Sequence, residues 1–263
     1  MPVTVSALSI TPVKAMRLQP VRSVRLTASG AAGNRRFYLI DADGRMVNGR
    51  PLGELQTIVA CWQEESGVLS LTFPDGERVS GEVALGDTVH TRFFSSQRTG
   101  RLVDGPFSAA LSRRLGRSLR LVATDTAVDR GERGAVSIIS RGSLRRLAQA
   151  AGVPWIDARR FRMLIEVDGI EPHGEDEWIG RRVRIGEALV QGAGHVGRCM
   201  ITTRDPDTGR VDLQTLHALR AYRHDLPSSE PLPFGIYGAV LSPGTVAVGD
   251  EVAVEDATSD DGR

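Results

Sequence analysis

Short runs that alternate apolar and polar residues, each ended by turn residues, succeed one another through the first hundred positions with almost no helical period. No other feature constrains the fold as strongly. Residues 3–10 mix apolar and small polar side chains at strand spacing and stop at Thr11-Pro12, and a second extended run covers 21–26. Residues 34–41 read as a strand that begins with Arg35 and Arg36, and Asp41-Ala42-Asp43-Gly44 closes a hairpin behind it. Residues 56–62, 68–73, 78–83 and 86–94 continue the series, with Pro74-Asp75-Gly76-Glu77 as a turn. Such a succession predicts a β-barrel or sandwich.

Beyond it, residues 95–105 read as a polar loop and 106–116 as a helix with Phe107, Leu111 and Leu115 on one face and Gly116 at its end. Residues 119–123 are a predicted strand and 124–134 a charged, mobile loop. After a buried strand at 135–140, Ser140 caps a helix that carries Leu144, Leu147, Ala148 and Ala151 on one side. Residues 160–167 read as a strand that opens with Arg160 and Arg162, and 182–190 as another. Asp212 caps a short helix running towards Arg223, and 234–241 and 251–254 finish the β structure. The expected fold is mainly β with a few short helices (α+β), in two closely joined parts: 1–100, 101–255, and an acidic, disordered tail at 256–263.

Composition excludes several classes of function. A net charge of +1 gives no field to steer a polyanion, and aromatics at 5% do not interleave with the arginines, so no nucleic-acid partner is expected. No apolar run approaches membrane-spanning length and the N-terminus lacks a signal-peptide layout, so the expected compartment is the cytoplasm, with no membrane partner. The two cysteines, Cys61 and Cys199, make no disulfide framework. Nucleophile-elbow, Walker and dinucleotide fingerprints are absent.

Candidate chemistry gathers near Gly194-His195-Val196-Gly197-Arg198-Cys199, followed by the turn Asp205-Pro206-Asp207-Thr208-Gly209. An arginine beside a cysteine favours the thiolate, which is the nucleophile and the metal ligand; a packed, unreactive thiol is the alternative. His195 lies four residues from Cys199, but a structural zinc site needs about four ligands and no third is evident. His173, among Glu171, Glu175, Asp176 and Glu177, reads as part of a solvated acidic loop. Lys14 is the only lysine among 33 basic residues. Either that position needs a compact, flexible ammonium, or the lysine survives by chance. Lys14, Arg35, Arg36, Arg50, Arg160 and Arg162 all sit at strand starts or turns; gathered around one pocket they would bind phosphate or a carboxylate-like group.

These landmarks, in this order, resemble the MOSC-domain family (molybdenum cofactor sulfurase C-terminal domain) with its N-terminal β-barrel, and within it the stand-alone bacterial members and the mitochondrial amidoxime-reducing component. They run from Leu8-Ser9-Ile10-Thr11-Pro12-Val13-Lys14 through Gly33-Asn34-Arg35-Arg36-Phe37, Arg160-Phe161-Arg162 and Arg198-Cys199-Met200-Ile201-Thr202-Thr203 to Phe234-Gly235-Ile236-Tyr237. The resemblance implies that 1–100 is the MOSC-associated barrel and 101–255 the MOSC domain. It implies a molybdenum cofactor with Cys199 as metal ligand and Lys14 and Cys199 as the catalytic pair. Lys14, Arg35, Arg36, Arg50, Ser140, Arg160, Arg162 and Arg198 would hold the cofactor; pyridoxal phosphate is not expected.

The implied reaction is two-electron reduction of N-hydroxylated small molecules, with electrons from a separate protein such as a ferredoxin, a flavin reductase or a cytochrome b5-like carrier. Alternatives are a sulfur carrier or transferase with a Cys199 persulfide, a molybdenum-independent lyase or transferase in the same pocket, and a non-catalytic binding barrel. Ala15, Asn34, Met163 and Leu164 depart from the family pattern, with Met163-Leu164 standing where the family has Pro-Asn.

Overall fold

The structure is a computed structural model describing residues 2–93, 96–125 and 131–255. The expected tail at 256–263 lies outside the described residues, as do positions 126–130 of the predicted loop. Among the described residues strands dominate, with three α-helices: α1 (Phe107–Leu115), α2 (Arg141–Ala151) and α3 (Thr215–Arg223). Alternation does what the sequence pattern requires. In Arg182–Ile185, Val183 and Ile185 point inwards while both arginines face out.

The largest sheet has eight strands, in the order Val252–Val254, Arg182–Ile185, Ala188–Gly197, Pro233–Ser242, Val136–Ser140, Ile165–Asp168, Thr4–Ile10 and Gln19–Val21. A bridge from Thr4 to Glu251, with Val5 N donating to Asp250 O at 2.8 Å and Val252 N to Val3 O at 2.9 Å, joins the first strand to the last. That contact curls the sheet into a barrel around Thr4–Ile10, with Gln19–Val21 left as its outer strand. Val136–Ser140 and Ile165–Asp168 run parallel, so a crossover is needed, and α2 supplies it. The second unit pairs a five-stranded sheet (Ala84–Phe93, Ser96–Asp104, Arg120–Ala123, Phe37–Ile40, Met46–Val47) with the meander Val59–Gln63, Val68–Thr72 and Arg78–Glu82. One core serves both sheets and α1, with Leu39, Leu69, Leu71, Phe107, Leu111 and Leu121 at its centre.

The two cores do not divide at residue 100. Thr4–Ile10 lies in the eight-stranded barrel and Ser23–Thr27 pairs with Gly244–Ala247, while Val13, Ala15 and Met16 between them pack into the core of the second unit. Residues 101–123 pack into the N-terminal core instead. Chain order alone does not reveal such an exchange, because strand partners are chosen by distant contacts.

Two element predictions are corrected. Position 95 of the predicted loop lies outside the described residues, and 96–104 is not a loop: Ser96–Asp104 pairs along its length with Ala84–Phe93, because ladder hydrogen bonds hold a polar ribbon that intrinsic preference would leave open. The expected strand at 160–167 begins only at Ile165. Before it, Asp157 Oδ1 accepts from Arg159 N, nucleating the turn Ala158–Phe161, and Arg162 adopts a left-handed φ of 55° that no strand continues through.

Candidate functional site

A cavity of about 450 Å³ opens where the two units meet, and Lys14, Arg35, Arg50, Arg162 and Cys199 all line it. Lys14 and Arg35 are brought together by a local pairing of 11–14 with 35–37. Arg35 N donates to Thr11 O at 2.7 Å, Phe37 N to Pro12 O at 2.9 Å and Lys14 N to Phe37 O at 2.8 Å. Asn34 Oδ1 accepts from Thr11 N at 3.0 Å and so holds this same pairing. The Lys14 ammonium lies 5.9 Å over the Phe93 ring.

Arg35 Nη2 donates to Arg162 O at 2.8 Å, and Arg162 Nη2 to Met16 O at 2.6 Å, so the two guanidinium groups are fixed against the backbone that bears them. Ala15, Arg35 and Arg162 have φ of 73°, 53° and 55°, three of the five non-glycine residues in the left-handed region among the described residues. Each carries strain on the order of 1 kcal/mol, and all three face this cavity.

Cys199 comes from the opposite wall. The strand Ala188–Gly197 slips register against Pro233–Ser242 between Gly192 and Gly194 and again between His195 and Gly197. Bulges of this kind re-aim side chains at the end of a strand. Arg198 N then donates to Pro231 O at 3.0 Å, and the next residue, Cys199, caps the short turn Met200–Thr203 with its side chain exposed. Ile201 fills the space beside Gly49, where a Cβ would come within 2.5 Å of Ile201 Cδ1. Arg204 Nη2 donates to Arg50 O at 3.0 Å, tying the turn that carries Arg50 to the cysteine segment.

Four predicted residues lie elsewhere. Arg36, one step along from Arg35 and on the other side of the strand start, pairs with Asp125 and with Thr124 O. Arg160 is buried and bidentate to Asp212 at 2.7 Å on each arm; the predicted cap Asp212 is used there, while α3 starts from Gln214. Arg198 turns inwards and donates to Phe161 O, Phe234 O and Met163 Sδ, so it does not reach the cavity wall as its position beside the cysteine suggested. Ser140 is fully buried and caps α2, accepting from Ser143 N at 3.0 Å.

Sequence reasoning missed Glu230 and Tyr237, which also line the cavity. Glu230 sits against Gly197, whose Cβ would meet its Oε2 at 2.5 Å. Nothing in its Pro/Ser-rich surroundings marks it; Tyr237 was legible only as part of a landmark. The cavity wall thus carries four cations against one carboxylate, beside an exposed thiol. Such a wall can hold a phosphate-bearing anion against the cations and a soft metal at the thiolate.

The acidic segment around His173 is solvated at Glu171 and Glu177 but not at His173, Glu175 or Asp176. Glu175 is fully buried, accepting from Ser143 Oγ at 2.6 Å and Ser140 N at 3.1 Å, and burial pushes its carboxyl upwards. Asp176 pairs with Arg223 at 2.7 Å and lies 3.5 Å from His195 Nε2. Burial, with Arg223 adding to it, lowers His173 to about 4. The turn His173–Trp178 therefore serves as an internal polar brace, which local composition cannot distinguish from a surface loop.

Comparison with known proteins agrees with this architecture. The MOSC N-terminal beta barrel domain matches residues 2–118 and the MOSC domain residues 125–253. Mitochondrial amidoxime reducing component 2 of Homo sapiens is 30% identical over 95% of this chain and 82% of its own length. Mitochondrial amidoxime-reducing component 1 of Mus musculus is 28% identical over 95% and 81%, and that of Xenopus laevis 25% identical over 94% and 81%. The chain therefore belongs to the MOSC-domain family, in the two-part form in which a MOSC N-terminal beta barrel domain precedes the MOSC domain.

Proposed function

We propose that this protein is a molybdenum-cofactor-dependent oxidoreductase that reduces N-hydroxylated small molecules with electrons from a separate redox protein. The observation that carries the reading is the meeting of Cys199 with Lys14, Arg35, Arg50 and Arg162 on one cavity. The names of the relatives, amidoxime-reducing components, point to the same substrate class.

The residues present fit such a cofactor. Among the described residues no group of three or more His, Cys, Asp or Glu is disposed to hold a metal, so Cys199 would be a lone protein ligand to a metal that brings further ligands of its own. Lys14, Arg35, Arg50 and Arg162 would hold the phosphate of the pterin. Of the departures from the family pattern, Asn34 braces the Lys14–Arg35 pairing and Leu164 lines a different cavity, so neither removes a contact from this wall.

When bound, the cofactor supplies a two-electron centre able to take oxygen from the substrate. The balanced change is R–NH–OH + 2 e⁻ + 2 H⁺ → R–NH₂ + H₂O. The protein's own part is to orient and to hold protons. Arg35 and Arg162, locked by their backbone bonds, present guanidinium groups that do not reorganise on binding. Glu230 and Tyr237 are the side chains on the wall able to hold a proton at a carboxyl or phenol oxygen.

The test is expression in a host that makes the cofactor, followed by elemental analysis and benzamidoxime reduction with a reduced viologen dye. The expected result is stoichiometric molybdenum and turnover, both lost in Cys199→Ser. Lys14→Met and Arg162→Met should each retain roughly tenfold less cofactor after dilution, as loss of one charge-assisted hydrogen bond implies. Turnover by metal-free protein, or full molybdenum in Cys199→Ser, would overturn the reading.

A further inference from the structure

Among the described residues that line the Cys199 cavity, Glu230 is the one carboxylic acid, and the fold makes a place for it. Gly197, the last residue of its strand, pairs with Pro233, and Arg198 N donates to Pro231 O at 3.0 Å. Those contacts lay 230–233 alongside 197–199, so the carboxyl enters the cavity from the same wall as the thiol. Glu230 N donates to Ser228 Oγ at 3.1 Å, and Leu232 is held at a left-handed φ of 45°. A bulky side chain adopts that conformation only where its surroundings impose it, and such strain gathers at functional sites.

A Cβ on Gly197 would lie 2.5 Å from Glu230 Oε2, 3.0 Å from Pro231 Cδ and 3.1 Å from Glu230 Cβ. Gly197 is outside the left-handed region, so its backbone does not call for a glycine. The carboxyl does, because it occupies the space that a side chain at 197 would fill.

Reduction of an N-hydroxylated compound breaks one N–O bond and consumes two electrons and two protons. The electrons come from the donor protein; one proton ends on the nitrogen, and the other leaves on the oxygen as water. Guanidinium groups do not give up a proton in neutral water, and a phenol gives one up less readily than a carboxyl. We infer, on the strength of the reductase activity proposed above, that Glu230 is the acid of this reaction. Its carboxyl passes a proton to the nitrogen as the N–O bond breaks and regains one from solvent, and Gly197 is the seat that keeps it in the cavity.

The test takes the molybdenum-loaded chain, reduced with a viologen dye and mixed with excess benzamidoxime for a single turnover. Elemental analysis and calorimetric binding of the product, benzamidine, accompany it. Glu230→Gln should keep its molybdenum and bind benzamidine as the wild type does, yet react about a hundredfold more slowly, the usual size of a lost acid. Gly197→Ala should also slow the reaction, because its methyl displaces the carboxyl. Introduced into Glu230→Ala, the same substitution should change nothing further, since no carboxyl is left to move. A rate in Glu230→Gln within about twofold of the wild type, or a loss of molybdenum or benzamidine affinity as large as the loss of rate, would overturn the assignment. So would a Gly197→Ala effect that persists in full without Glu230, which would mean that the glycine serves Cys199 instead. A wild-type chain that loads molybdenum and reduces no benzamidoxime would overturn the reductase reading itself, and the role of Glu230 with it.

Discussion

His173 shows how far a single side chain can depart from what its neighbours in sequence suggest. Its imidazole is packed against Tyr222 and Phe234, with ring centroids 5.6 and 5.7 Å away. Burial first, then Arg223 and Arg146 outweighing Asp176, lower it to about 4 from the usual 6.5. The unfolded chain therefore takes up a proton near pH 6.5 that the folded chain refuses until about pH 4. Stability contributed by the neutral ring is intact above that window and is lost as pH falls through it, by on the order of 2 kcal/mol after allowance for partial exposure. Glu175 works in the opposite direction, since its raised carboxyl favours the folded state at low pH. The comparison must therefore be wild type against His173→Gln. Urea unfolding at pH 7, 5.5 and 4.5 should give a steeper loss in the wild type; parallel profiles would mean that the ring is solvated. At this scale Lys14, Arg35 and Cys199, which line one cavity, could be picked out as candidates by residue type, but the separation of Arg35 from Arg36 could not.

Helices announced themselves through their ends. Ser140 at the start of α2 and Gly116, at φ 63°, at the end of α1 are the signals by which a sequence marks a helix, and both act as expected. Because Ser140 caps the helix and lines neither cavity, Ser140→Ala should cost about 1 kcal/mol of stability while leaving cofactor content and substrate KM unchanged. Thermal unfolding measured beside elemental analysis checks both halves, and a variant of normal stability that fails to load the cofactor would return Ser140 to the binding set. Strands were harder to place. Ser96–Asp104 holds through pairing rather than composition, and the run 160–167 becomes a strand only from Ile165 because of one turn and one left-handed arginine before it.

At the level of the whole molecule, the cavity exists because two units are clamped. Arg204 Nη1 donates to Gly209 O at 2.7 Å and Nη2 to Arg50 O at 3.0 Å. Gly53 and Gly209 come so close that a Cβ on either would lie within 2.3 Å of the other's carbonyl oxygen. Arg204→Ala should therefore cost about 1–2 kcal/mol and speed amide exchange across residues 48–53 more than in the distant meander Val59–Gln63. Uniform acceleration throughout the chain would show that Arg204 acts on global stability and not on this junction.

Local sequence was enough to show that the chain is mainly β, where α1 ends and α2 begins, and which side chains could meet an anion or a soft metal, because alternation, caps and residue chemistry are local properties. Which of the cations converge is a property of the fold. The direction of a side chain follows from pleat, bulge and left-handed turns, and the partner of a strand from contacts far along the chain. Those are why Arg35, Arg50 and Arg162 share a wall with Cys199 while Arg36, Arg160 and Arg198 do not.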